Sequence, residues 1–137
     1  MFIKEQRSTF PYWFAHWCAF QMTALNLGIW RFRFLFHDWY KPWMKLFCKY
    51  KTVQQFHRYH SKHHLEWGET HGYVKMDIDA FITDIECSRF TKTASPLNAV
   101  DKLYDYLDKC NPQDMQRKYF LGHALYRAQQ LGLNGNL

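Results

Sequence analysis

Proline and glycine divide this chain into segments whose apolar residues recur at helical spacing. The first segment follows Thr9, carries Pro11 where a first helical turn tolerates it, and stops at Gly28, a residue typical of helix C-termini. Its apolar residues lie three or four positions apart, at Trp13, Trp17, Phe20, Ala24 and Leu27. Alternating apolar and polar runs of the kind that form strands are nearly absent, so the sequence predicts an all-α fold.

The same signals predict five more helices and a single domain. We expect helices over about 29–39, 51–67 and 77–91, and two more that begin near 95 and 111. The residues that mark their ends are Pro42, Gly68, Ser95, Pro96, Asn111, Pro112 and Gly132. A length of 137 residues is typical of one domain. The prediction is a single compact bundle of five to six helices over residues 1–137.

Composition narrows the class of protein. Apolar residues make up 47% and charged residues 22%, which excludes a disordered or low-complexity chain. The net charge of +6 at pH 7 favours anionic partners, meaning phosphates, nucleotides or nucleic acid. Aromatic residues reach 20%, and in 30–34 they alternate with arginines, as they do in nucleic-acid stacking surfaces. A basic aromatic nucleic-acid-binding protein is one alternative, although no nucleic-acid-binding motif is present.

The cysteines and the long uncharged stretch bear on location. The four cysteines form no CxxC pair, and the N-terminal residues lack the pattern of a secretory leader, so we expect a cytoplasmic protein with buried thiols.

The stretch 8–30 carries no formal charge and is long enough to span a membrane. Polar residues and a proline interrupt it: Pro11, His16, Gln21, Thr23 and Asn26. We therefore expect a nearly buried helix of a soluble protein, without a membrane partner.

The adjacent pair His37-Asp38, followed by Lys41, is the sharpest local motif. An imidazole beside a carboxylate suits a divalent ion such as Mn, Fe, Co, Zn or Mg. A lysine three residues after the Asp lies one helical turn away, within reach of a phosphate that a metal holds. The alternative for the pair is a helix cap or a solvated surface pair, and Lys41 could be a solvated residue before the turn at Pro42.

Two distant residues could join this pair. His16 shares a helical face with Trp13, Trp17 and Phe20 and is expected to point into the core. Asp84 borders the apolar face of the predicted helix 77–91, where a carboxylate needs a partner. Together with His37 and Asp38 they could supply four ligands from three helices. The alternative for His16 is a hydrogen-bonded structural histidine.

A second group of histidines lies on the predicted helix 51–67. At 100° per residue, His57, His60 and His64 form one stripe, whereas His63 points well away. The stripe is expected to supply extra metal ligands or phosphate contacts. The alternative is a solvated polar face, because lysine, glutamine and Arg58 share the helix.

This ordered set resembles the HD-domain metal-dependent phosphohydrolases. That family carries a His, then a His-Asp pair that often continues as His-Asp-x-x-Lys, then a distal Asp, and here these are His16, His37-Asp38 with Lys41, and Asp84. The chain is still more similar to a group of small phage and bacterial HD-like proteins of unknown function. Those carry in addition a His, a His-His pair near a Trp, and an Asp, which here are His57, His63-His64, Trp67 and Asp84. The resemblance covers about residues 12–92.

The resemblance implies a small all-α hydrolase of a nucleotide or related phosphate ester. The phage relatives imply, further, a phage-encoded enzyme that acts on host nucleotide pools or nucleotide signals. One or two divalent ions would be held by His16, His37, Asp38, His57, His64 and Asp84. We assign Lys41, Asp38 and His64 to catalysis, and Lys41, Arg58 and His60 to the substrate phosphate. Bound metal would polarise the phosphoryl group and acidify a water. The non-enzymatic alternatives are nucleic-acid binding and a metal-stabilised protein that binds a host partner.

Overall fold

The computed structural model describes residues 2–92 and 99–134, which contain α-helices and short 3-10 turns and no strand. The seven α-helices are α1 Phe10–Leu27, α2 Lys41–Met44, α3 Tyr50–His60, α4 Leu65–His71, α5 Ile78–Cys87, α6 Ala99–Lys109 and α7 Met115–Gln130. The all-α prediction is confirmed, with slightly more helices than the five to six expected. No helix in these two ranges combines the length and hydropathy needed to cross a membrane.

Helix α1 begins and ends where its sequence predicts. Thr9 caps it by accepting the backbone N–H of Tyr12, Pro11 lies in the first turn, and Gly28 follows the last turn with a left-handed φ of 73°. Residues four apart face inward, namely Tyr12, His16, Phe20 and Ala24. This face packs on α5, so the helix places His16 in the interior beside an apolar cluster.

The helix predicted over 29–39 is wrong. Residues Phe32–Phe36 form a single 3-10 turn, and the chain then turns again through His37 and Asp38. Side chains of α1 donate to backbone carbonyls that would accept intrahelical hydrogen bonds in an α-helix. The indole N–H of Trp17 donates to the Leu35 oxygen at 2.9 Å, and the Gln21 amide donates to the Phe34 oxygen at 2.5 Å. Tertiary hydrogen bonds have thus replaced the helical ones.

The helix predicted over 51–67 is also wrong, because it is broken into α3 and α4. Ser61 has an extended backbone (φ −111°, ψ 126°), and so does His64 (φ −114°, ψ 143°). The Lys62 carbonyl between them accepts the N–H of Asp77 at 3.0 Å, which ties the break to the start of α5. Gly68 does not end a helix but lies buried inside α4, where a Cβ atom would collide with Tyr73 and Met76.

The C-terminal helices support α5. Asp77 caps α5, which begins at Ile78 and continues as a 3-10 turn to Phe90, close to the predicted 77–91. Helices α6 and α7 pack on each other and on α5 around a core whose fully buried members include Ile82, Leu103, Leu121 and Ala124. Ser95 and Pro96, predicted to open a helix, lie outside the described residues. Helix α7 is capped by Asp114 rather than opened at Asn111 and Pro112, and Gly132 follows it with φ 86°.

Candidate metal centre

Seven histidine and aspartate side chains from five segments converge at one end of α1. We call them the His/Asp cluster: His16, His37, Asp38, His57, His63, His64 and Asp84. Helices α1, α3 and α5 supply His16, His57 and Asp84, whereas the turn before α2 and the loop before α4 supply the rest. The regular elements therefore hold fewer than half of the cluster.

The first half-site consists of His16, His37, Asp84 and Oδ2 of Asp38. The Nε2 atom of His16 lies 3.0 Å from Oδ1 of Asp84, 3.2 Å from Nε2 of His37 and 3.7 Å from Oδ2 of Asp38. The Nε2 atom of His37 lies 3.4 Å from each of the two carboxylates. Two ring nitrogens and two carboxylate oxygens therefore face a common point.

The second half-site consists of His57, His63, His64 and Oδ1 of Asp38. Nε2 of His57 lies 3.1 Å from that oxygen and Nε2 of His63 lies 3.7 Å from it. One ring nitrogen from each of the three histidines lies within 4.8 Å of the other two. The two oxygens of Asp38 thus face different half-sites, and this carboxylate joins them.

Asp38 adopts an unusual backbone conformation at the centre of the cluster. Its φ is 54°, and it is the sole non-glycine residue with positive φ in 2–92 and 99–134. The indole N–H of Trp13 donates to its carbonyl oxygen at 2.8 Å, and only 4% of the residue is exposed. Packing and this hydrogen bond hold a conformation that an L-residue adopts at a cost.

Three buried polar atoms of the cluster have no hydrogen-bond partner among the described residues. They are Oδ1 of Asp38, Nε2 of His63 and Nε2 of His64, all in the second half-site. A buried acceptor without a partner costs about 1–3 kcal/mol, and folded proteins rarely tolerate several together. A metal ion would satisfy all three at once, so the donor set fits one. The buried His/Asp groups could hold a metal ion.

Outer contacts fix the direction of the histidine rings. When Nε2 of His57 ligates a metal, the ring proton lies on Nδ1, which is 2.5 Å from the Tyr40 hydroxyl; that hydroxyl also shares a hydrogen bond of 2.7 Å with Oγ of Ser61. The His37 ring stacks on Phe20 with 3.7 Å between ring centroids. Such contacts on the far side of a ring are typical of histidines that ligate metals.

Burial also sets the protonation states. Desolvation lowers the pKa of four cluster histidines: His16, His57, His63 and His64. For Asp38, burial alone would raise the carboxyl pKa, but the imidazoles around it and Lys41 hold that pKa well below its usual range. For Asp84, burial likewise opposes the hydrogen bonds from His16 and His37, which hold its pKa low. These four imidazoles are therefore neutral and the two carboxylates are ionised, which are the states that ligate cations.

The structure brings together the four residues predicted to converge, and it corrects the histidine stripe. His63, expected to point away, is buried in the second half-site because the chain leaves the helix at Ser61. His60, expected in the stripe, is exposed: its ring stacks on Phe56, and Nδ1–H donates to the Phe56 carbonyl at 2.8 Å. His60 is therefore outside the cluster, and the structure gives no support to its assignment to the substrate phosphate.

A cleft of about 740 Å³ opens over the cluster. Lys41 lies in it with Nζ 3.2 Å from Oδ2 of Asp38, and the exposed Arg58 of α3 also lines it. Three further cations line the cleft, none of them singled out by a sequence motif: Arg7, Lys51 and Lys92. Tyr12, Tyr50 and Tyr59 supply aromatic walls. The cleft is thus basic and partly aromatic, with the cluster at its base.

No protein-family model matches this chain, and no curated protein or solved structure shows significant similarity to it. The resemblance to HD-domain proteins therefore rests on the motif residues alone and stays a prediction.

Proposed function

We propose that this protein is a metal-dependent phosphohydrolase of the HD type, acting on a nucleotide or a related phosphate ester. One observation carries the proposal. At the base of a basic cleft, the two oxygens of Asp38 face two sets of imidazoles, and three buried donor atoms are left without partners. Stability alone gives no reason to gather seven such side chains, five of them buried and two half-buried, because unpaired polar groups weaken a fold.

The donor set favours two transition-metal ions. His16, His37 and Asp84 would hold the first ion, and His57, His63 and His64 would hold the second, with Asp38 bridging them. Five imidazoles suit Mn, Fe, Co or Zn better than Mg, which prefers oxygen ligands. Bound metal would act as a Lewis acid on a phosphoryl group and make water more acidic.

The chain's own residues would orient the ester and balance its charge. The Lys41 ammonium is held beside Asp38 and faces the cleft, so it can neutralise charge that develops on phosphate oxygens. Because Lys41 is a cation, it cannot ligate a metal, and its role is confined to substrate. Arg58, on the exposed side of α3, can approach the more distant part of the ligand.

Elemental analysis and a phosphatase screen test the proposal together. The protein is purified without chelator, its metal content is measured, and hydrolysis of nucleotides and of p-nitrophenyl phosphate is followed with added Mn, Fe, Co, Zn or Mg. We expect bound transition metal and turnover of at least one ester. Lys41→Ala should keep the metal and lower turnover roughly ten- to a thousandfold. His60→Ala, outside the cluster, is the matched control and should change neither.

Two outcomes would contradict the proposal. A protein that binds no metal under any of these conditions has a structural cluster only. A protein that binds metal but hydrolyses no ester fits the alternative of a metal-stabilised binding protein. Nucleic-acid binding has weaker support, because Arg31 and Arg33, which flank the exposed Phe32, are already ion-paired with Asp79 and Asp77, and Phe34 is buried.

A further inference from the structure

The N-terminal segment and the residues after α5 form one wall of the cleft. The backbone N–H of Phe2 donates to the Thr91 carbonyl at 2.8 Å, and Phe2 pairs with Lys92 as an isolated bridge. The Phe2 ring also packs edge-on against Tyr12 of α1. These contacts place the 3-10 turn Lys4–Ser8 beside Lys92, and Arg7 of that turn lines the cleft.

Arg7 and Lys92 carry positive charge into this wall without a direct ion pair to a described carboxylate. The Nε atom of Arg7 is buried and has no hydrogen-bond partner, and no carboxylate in 2–92 or 99–134 forms an ion pair with Arg7 or Lys92. Lys92 is partly buried, and desolvation lowers the pKa of its ammonium, an effect that the nearby charge of Asp84 opposes and that of Arg7 reinforces. Removing a cation from water without a counter-ion is costly, so such a pair favours binding of an anion.

The protein pairs its other partly buried arginines. Arg89 contacts Glu86, Arg117 contacts Glu69 and Arg127 contacts Asp79. Lys41, in the same cleft, contacts Asp38. Arg7 therefore differs from the other partly buried arginines among the described residues, each of which has a carboxylate partner.

We propose that Arg7 and Lys92 bind a second phosphate group of the ligand, beside the group that the His/Asp cluster binds. The ligand class is a compound with two phosphate groups, such as a diphosphate or a bisphosphate. Five cations but only three carboxylates line the cleft, and two of those carboxylates, Asp38 and Asp84, belong to the cluster. A guanidinium and an ammonium together match the several acceptor oxygens of one phosphate. The cleft volume of about 740 Å³ is ample for two phosphate groups.

The binding of the first phosphate group at the His/Asp cluster rests on the proposed function. The binding of a second group by Arg7 and Lys92 does not depend on it. The test is therefore a binding measurement. Calorimetric titration of the protein as purified, with inorganic phosphate and with pyrophosphate, gives two dissociation constants. We expect pyrophosphate to bind at least about tenfold more tightly than phosphate, as one added charge-assisted contact would give.

Variants of the pair should remove that preference. Arg7→Gln and Lys92→Gln should each weaken pyrophosphate binding roughly tenfold or more, with metal content and thermal unfolding unchanged. Lys92→Arg should keep part of the affinity. Lys51→Gln is the matched control, because it removes one charge from the same cleft at an exposed position, and its effect should be small.

Three results would overturn the inference. They are equal affinities of the wild-type protein for the two anions, pyrophosphate binding that survives both glutamine variants, and a loss with Lys51→Gln as large as with Arg7→Gln. If a glutamine variant fails to fold, Arg7→Lys and Lys92→Arg, which keep the charge, serve in its place. If Arg7→Lys binds pyrophosphate as tightly as the wild type, and added salt does not weaken that binding, the result also contradicts a built site. A preference for pyrophosphate that the glutamine variants remove, without turnover of any ester, would leave the pair supported and contradict the proposed hydrolase.

Discussion

The two half-sites of the His/Asp cluster are built in different ways. In the first, His16 and Asp84 project from α1 and α5, two helices that pack directly on each other. In the second, His57 alone lies on a helix, and His63 and His64 lie in the loop before α4. Helix packing fixes His16 and Asp84 before any ion arrives, whereas two of the three histidines of the second set lie in a loop, and their Nε2 atoms lack partners. The first half-site is therefore expected to bind an ion more tightly, and the second to exchange it more readily.

The largest expected effect is that of Asp38→Asn, which tests whether one residue joins the half-sites. Asn tolerates positive φ as Asp does, so the backbone should survive, but the bridging charge is lost. We expect both ions to be lost and turnover to fall by roughly a thousandfold or more. Metal content and ester hydrolysis check this. If one ion remains bound at full affinity, Asp38 does not bridge.

Next in size is the contrast between His16→Ala and His57→Ala. Each removes one ligand from one half-site, so each should reduce metal content to about one ion per chain. Because the helix-built site binds more tightly, His16→Ala should leave the weaker ion, which dialysis removes. His57→Ala should leave an ion that resists dialysis. Identical retention in the two variants would refute the difference between the half-sites.

The third test sets His63→Ala against His60→Ala. His63 lies in the second half-site, and its loss should weaken the second ion roughly ten- to a hundredfold. His60 stacks on Phe56 outside the cluster, so its loss should leave both ions in place. Metal titration of the two variants decides between a chain that leaves the helix at Ser61 and a helix that continues to residue 67. A continuous helix would make the loss of metal larger in His60→Ala than in His63→Ala.

Acid should destabilise the metal-free protein. Burial lowers the pKa of His57, His63 and His64 in the folded state, so below the ordinary histidine pKa of about 6.5 the unfolded chain binds more protons. Their contribution to stability is complete above that pH and is lost as the pH falls below it, by up to ~1.4 kcal/mol per pH unit for each histidine. Urea unfolding from pH 7.5 to 5 measures the slope, and His63→Ala should flatten it. A slope unchanged in that variant would contradict a buried, neutral His63.

The smallest expected effect is that of Tyr40→Phe. Removing the hydroxyl leaves the Nδ1–H of His57 with Ser61 alone, so the ring is held less firmly. We expect the second ion to bind roughly tenfold more weakly while the first is unaffected. Metal competition with a chelating dye measures both. An equal loss at the two half-sites would show that Tyr40 acts on the whole fold.

The residues of the first half-site could all be predicted from the sequence, whereas helical spacing predicted only His57 and His64 of the second and placed His63 outside it. Helical spacing on α1 places His16 with Phe20, and the apolar face of α5 places Asp84, because regular helices carry their periodicity in the residues themselves. The chain leaves the helix at Ser61 without proline or glycine to mark it. The break depends on contacts from distant residues, such as Asp77 to the Lys62 carbonyl, so periodicity assigned the wrong histidine to the cluster.

Arg7 and Lys92 illustrate the same limit. Each is one basic residue among 18, with no motif around it. They meet only because Phe2 bridges to residues 91 and 92, almost ninety positions along the chain. The one signal available was the excess of positive charge, which predicted an anionic ligand without indicating where it binds.

The left-handed backbone of Asp38 bears on how this sequence can change over time. An ordinary residue in that conformation costs about 1–2 kcal/mol, a cost that aspartate and asparagine reduce and glycine avoids. Folding alone would favour glycine at position 38, and only selection for the carboxylate keeps aspartate there. In a lineage that no longer needs the cluster, position 38 should be among the first to drift, towards glycine or asparagine, and the fold should become more stable as it does. Descendant sequences that have lost their histidines yet retain Asp38 would show that the residue is kept for another reason.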